Sequence, residues 1–134
     1  MPGETVLEIS QYPDDFQLFT RCDNPLVAPV ANHPIFIADR DLIIDVVTIR
    51  YATAGGAAET AKLKWVPTGT AIAGTGTDIT STGLIDRTAD TNYALTVTTT
   101  ANLVPAGAMV FLVLSSAATV KGVSVTVRVR SRRQ

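Results

Sequence analysis

The fold is decided by Met109-Val110-Phe111-Leu112-Val113-Leu114 and, after a reversal at residues 115–121, by Gly122-Val123-Ser124-Val125-Thr126-Val127-Arg128-Val129-Arg130. The first piece is an unbroken apolar run. The second alternates without a fault. A strand points successive side chains to opposite faces, so Val123, Val125, Val127 and Val129 share one face, and Ser124, Thr126, Arg128 and Arg130 the other. Burying one valine contributes roughly 1.5–3 kcal/mol. Four together rival the net stability of a whole domain, about 5–15 kcal/mol. A slip of one residue would put every valine in water, which fixes the register. Ahead of both pieces, Leu103-Val104-Pro105-Ala106-Gly107 reads as a lead-in turn.

Working back toward the N-terminus, residues 92–100 alternate again, with Tyr93, Leu95 and Val97 inward and Thr96 and Thr98 outward. Residues 84–90 read as a polar loop. Between residues 69 and 80, glycines punctuate short Thr-rich strands. Ala61, Leu63 and Trp65 alternate with Lys62 and Lys64 in a half-buried strand that ends at Pro67. Residues 57–62 could make a helical turn too short to stand alone. Residues 42–51 form a continuous β-branched run, which reads as a central strand buried on both sides. Asp45 inside it needs a partner, and Arg50 is the local candidate. Residues 35–38 make a short strand, closed by the turn Asp39-Arg40-Asp41.

Residues 1–34 differ from this body. Five of the seven prolines, Pro2, Pro13, Pro25, Pro29 and Pro34, fall there. Two short alternating pieces remain, residues 5–9 and 16–21. Proline confines such pieces to edges or arms. Two readings stay open: an extended arm lying on a neighbouring subunit, or an edge covering the chain's own sandwich. No segment has a helix period with caps. Short strands with turn signals every ten or so residues argue an all-β, jelly-roll-like antiparallel sandwich over 35–134, preceded by an arm over 1–34.

The 134 residues suit one domain with a real core. Charged residues make up only 17% of the chain, below the usual quarter, so part of the surface is expected to be hidden against partners. A net charge of −1 gives no global pull toward nucleic acid or anionic lipid. One cysteine, Cys22, rules out a disulfide within the chain. The first residues lack a signal-peptide pattern, and no apolar run is long enough for a membrane span. The expectation is a soluble protein made in a cytoplasm.

Chemistry-bearing residues are sparse. His33 is the single histidine, and nothing singles out a nucleophile for it to serve. Asp14-Asp15 and the group Asp39, Asp41 and Asp45 do not match a calcium loop, and solvated turns account for them. The glycines near Gly74 are followed by no phosphate-binding Gly-Lys-Ser/Thr. No cofactor, metal or catalytic set is expected. The strongest charge feature is the basic end: Arg128, Arg130 and Arg132 on one strand face, with Arg133 beside them. A protein contact, or a solubilising face at a terminus, fits it better than nucleic acid, because aromatics for base stacking are few.

Three segments carry a resemblance. They are Lys62-Leu63-Lys64-Trp65-Val66-Pro67-Thr68-Gly69-Thr70-Ala71-Ile72-Ala73 with Gly74-Thr75, then Asn102-Leu103-Val104-Pro105-Ala106-Gly107-Ala108 leading into residues 109–114, then Lys121-Gly122-Val123-Ser124-Val125-Thr126-Val127. Residues 42–130 resemble the head decoration (cement) proteins of tailed bacteriophages and some tail or fibre domains. Ala108 stands where the cement pattern often has an acidic residue. The resemblance implies a non-enzymatic sandwich that forms homo-oligomers, commonly trimers. Such a protein sits on the outer capsid surface of the virion and clamps the major capsid protein. Phe16, Phe19, Arg21, Arg128, Arg130, Arg132 and Arg133 are the candidate partner-binding residues. The alternative is a tail or fibre module binding a host receptor or glycan, with Trp65 and Tyr93 as the available rings.

Overall fold

In the computed structural model, the described residues are 15–21 (backbone only), 31–55, 60–72, 75–84, 88–115 and 120–131. They form ten strands and no helix: β1 (Asp15–Arg21), β2 (Asn32–Ile37), β3 (Leu42–Arg50), β4 (Thr60–Val66), β5 (Thr77–Asp78), β6 (Gly83–Leu84), β7 (Tyr93–Leu95), β8 (Leu103–Val104), β9 (Met109–Leu114) and β10 (Ser124–Ser131). The first sheet runs β1-β10-β3-β7, with β8 also on β3. The second runs β2-β9-β4-β5, with β6 also on β4. All pairings are antiparallel. β7 and β8 lie end to end along one edge of β3, and β5 and β6 along one edge of β4. With each such pair counted as one interrupted strand, the two four-stranded sheets have the strand order of a jelly roll.

The core lies between the sheets. Val123, Val125, Val127 and Val129 are all buried, together with Leu42, Ile44, Val47 and Ile49 of β3 and Val110, Leu112 and Leu114 of β9. Tyr51 is fully buried and stacks on Tyr93, with ring centroids 6.1 Å apart and planes 19° from parallel.

β3 corrects the reading of a strand buried on both sides. Its buried residues are Leu42 and Ile44, then Val47 and Ile49, so one face is buried and the phase shifts between the pairs. The cause is a bulge: Val129 pairs with Ile44 and Arg128 with Val46, leaving Asp45 without a place in the ladder. Asp45 also has a different partner from the one expected. Arg130 Nε donates to its two carboxylate oxygens at 3.2 and 3.0 Å, while Arg50 lies 3.9 Å from Asp90.

Other boundaries move. β2 starts at Asn32 and takes in Pro34, with its own irregularity around Ile35. It is an edge strand, where a missing ladder donor is tolerated. Residues 60–62 of the proposed helical turn are strand, and Leu84 belongs to β6. Residues 15–21 form β1, hydrogen-bonded along β10. Residues 1–14 and 22–30 of the N-terminal stretch lie outside the described residues.

Thr80 is fully buried. Its Oγ1 accepts the backbone N–H of Leu63 at 3.0 Å. Thr80→Val keeps the shape and orphans that donor, so a loss of about 1–3 kcal/mol is expected by denaturant titration. Thr80→Ser should retain most of the stability. A cost for valine below about 0.5 kcal/mol would remove the hydroxyl from the account.

Candidate protein-binding surface

The outer face of the first sheet carries two of the sequence-predicted residues, Arg128 and Arg130. β10 and β3 pair in rows: Ser124 with Arg50, Thr126 with Thr48, Arg128 with Val46, Arg130 with Ile43. On the far edge of β3, Ala94 continues the Thr48 row and Leu103 the Ile43 row. Val46 and Leu103 are 37% and 39% exposed, large values for such side chains. Arg50, Ala94, Arg128 and Arg130 are also exposed. Exposed valine and leucine beside arginines is a composition that protein contacts use. The bulge assists here by placing both Asp45 and Val46 between the inward residues Ile44 and Val47. Asp45 ties Arg130 down. Among the residues whose side chains are described, no carboxylate lies within ion-pair distance of Arg128.

β1 brings the other predicted residues to the same sheet. Phe16 is in register with Val129, Phe19 with Thr126 and Arg21 with Ser124. Arg132, Arg133 and Cys22 lie outside the described residues. Ile37, Val46 and Leu103, the large exposed hydrophobics of the described chain, were missed in the sequence. Each belongs to a β-rich apolar run, and exposure follows from pairing that the run does not reveal.

One end of the sandwich is built from three turns tied together. In residues 67–70, Thr70 N donates to Pro67 O at 3.1 Å with Gly69 at φ 89°. In residues 105–108, Ala108 N donates to Pro105 O at 3.1 Å with Gly107 at φ 86°. Both have the type II geometry, which puts glycine at the left-handed third position. Thr68 Oγ1 donates to Gly107 O at 3.0 Å, and Ala106 N donates to Asp41 Oδ1 at 2.9 Å. Two of the segments that carried the phage resemblance therefore meet in space. Beside them Ile37 is 63% exposed, and Asp39 pairs with Arg40 at 2.9 Å. That hydrogen bond from the guanidinium holds the Asp39 carboxyl below its ordinary range.

The outer face of the second sheet is partly roofed by its own chain. Val66 and Phe111 are buried yet stand apart from the inter-sheet core. A Cβ on Gly76 would lie 3.1 Å from Val66 Cγ1 and 3.3 Å from Phe111 Cζ, so this backbone closes over both. Asp78 anchors the roof, 3.3 Å from Lys62 Nζ and 3.1 Å from Lys64 Nζ. Partial burial raises the Asp78 pKa, but the two ammonium groups outweigh it and hold the carboxyl below its usual range.

The rings considered for glycan stacking are engaged elsewhere. Trp65 packs against the core, and its buried Nε1 has no hydrogen-bond acceptor among the described residues. Tyr93 stacks on Tyr51 and accepts the Thr88 N–H at 3.1 Å. His33 is half-buried in β2 opposite Leu112. Among the described residues, no group of three or more His, Cys, Asp or Glu side chains could hold a metal, and no helix is long and apolar enough to cross a membrane.

No protein-family model, no curated protein and no solved structure matches the chain.

Proposed function

We propose that this protein is a non-enzymatic capsid decoration protein, which coats the outer surface of a phage head and stabilises it by binding between subunits of the major capsid protein. One observation carries the reading: the outer face of the first sheet presents Val46, Leu103 and half-buried Ile43 to solvent beside Arg128 and Arg130. The low charge content, the jelly-roll strand order and the meeting of the two resemblance-bearing turns support it. Contact with the shell falls first to the N-terminal stretch, with Phe19 and Arg21; Phe16, in register with buried Val129, is at an inner-face position. The arginines of β10 face a protein partner.

The test is co-sedimentation of the purified protein with undecorated heads of the phage that encodes it. Deletion must stop at residue 14, because residues 15–21 pair with β10 and their loss would open the first sheet. Loss of head binding by the protein lacking residues 2–14, with an unchanged circular dichroism spectrum, is the expected result. Full-affinity coating by that variant overturns the role given to the N-terminal stretch. Failure of the full chain to coat heads overturns the function.

A further inference from the structure

The edges of the two sheets are not alike. β2 carries Pro34 and an irregular register beside it, and β5, β6, β7 and β8 are two or three residues long. Proline, irregularity and shortness each keep an edge from recruiting another strand. β1 has none of these. It is seven residues without proline, in unbroken register with β10, and among the described residues nothing pairs with its other side. An edge this regular is a template for one more strand.

The sequence just ahead of β1 suits such a strand. Thr5, Leu7 and Ile9 alternate with Glu4, Val6 and Glu8, and Gln11-Tyr12-Pro13-Asp14 separates them from Asp15. These residues lie outside the described ones, but their possible register on β1 is restricted. Phe16, Leu18 and Thr20 hold inner-face positions, in register with buried Val129, Val127 and Val125. A register that sets Glu8 opposite Phe16 or Leu18 would carry the acid inward and leave Leu7 and Ile9 on the outer face. A two-residue loop at Pro13-Asp14 would need a positive φ that proline does not adopt. A four-residue loop over 11–14 has neither fault. It sets Ile9 opposite Phe16, Leu7 opposite Leu18, Val6 opposite Phe19 and Glu4 opposite Arg21. Apolar residues then fall opposite apolar ones, and an acid opposite a base.

We infer that residues 4–9 form a β-hairpin with β1 of the same chain and close the open edge of the first sheet. The N-terminal stretch thereby covers its own sandwich. Val6 joins Phe19 at outer-face positions, beside the Thr126 row. What this stretch offers a partner is the outer face of a fixed strand. The inference does not depend on the decoration reading. The protein lacking residues 2–14 would lose one edge strand and keep the ladder of β1, β10 and β3.

The experiment is disulfide trapping in the full chain, with Cys22→Ser so that no other thiol is present. Directly opposite residues have Cα atoms about 4.5–5.5 Å apart, within disulfide reach. Val6→Cys with Phe19→Cys should therefore oxidise to a bond within one chain, located by peptide mass mapping and running as a monomer on a non-reducing denaturing gel. Val6→Cys with Arg128→Cys spans two strand spacings, about 10 Å, and should not. Bonds between chains, or a preference for position 128, overturn the inference. Hydrogen exchange on the chain without added cysteines is the second measurement. Amides of residues 5–9 should be protected. Leu7→Asp should speed exchange about tenfold or more there and at the β1 amides that face away from β10, with β3, β4 and β9 unchanged. Unprotected exchange over residues 5–9 in the parent protein overturns the inference.

Discussion

Phe111→Ala is expected to cost about 3–5 kcal/mol, the range for truncating a fully buried phenylalanine. By strand alternation this side chain should sit in water. Val110 and Leu112 point into the inter-sheet core, and Phe111 between them pairs with Lys64 and Pro34 on the outer face. Yet it is fully buried. The chain around Gly76 lies over it, and Val66 packs at the same spot. The loss therefore combines transfer of a large aromatic ring with a cavity that the backbone roof cannot collapse into. Urea titration of the variant against the parent protein measures it. A loss near 1 kcal/mol would mean that Phe111 is already wet and that the roof is open in solution.

Gly76→Ala should cost roughly 2–3 kcal/mol from two sources. Its φ of 127° is a conformation that L side chains rarely adopt. The new Cβ would also lie 3.0 Å from the carbonyl oxygen of Trp65, a backbone atom of a central strand that cannot swing aside. The third neighbour is the Phe111 ring. Combining Gly76→Ala with Phe111→Ala should therefore cost less than the two losses added, because truncation of the ring makes room for the methyl group. Strict additivity would separate the two positions and contradict the roofed arrangement. A thermal melt of the single and double variants decides between these outcomes.

Where one alternation runs unbroken, the sequence can be read directly. Val123 and the three valines of β10 identified the buried face, and all four are buried. β3 was harder because two alternations, out of phase across the bulge at Asp45, read together as one continuous apolar run. No local pattern marks that join, since the bulge is defined by the pairing with β10, some eighty residues away. The partner of Asp45 was hidden for the same reason: Arg130 reaches it across the ladder, whereas Arg50 is near only along the chain. The arginines on β10 were legible as a charged face. Ile37, Val46 and Leu103 were not, because an apolar residue in a strand announces burial, and its exposure depends on what the finished topology leaves uncovered.

The position of β10 bears on how the protein is made. It lies between β1 and β3, so the interior of the first sheet is vacant until residues 124–131 have left the ribosome. Until then the nascent chain carries β1 and β3 with unsatisfied edges, each able to recruit a foreign strand. Closure must wait for a pairing between segments far apart in sequence, a slow step in chains of high contact order. Closure of this sheet therefore comes late in the order of synthesis, and the stage before it is the one at which aggregation threatens the chain most.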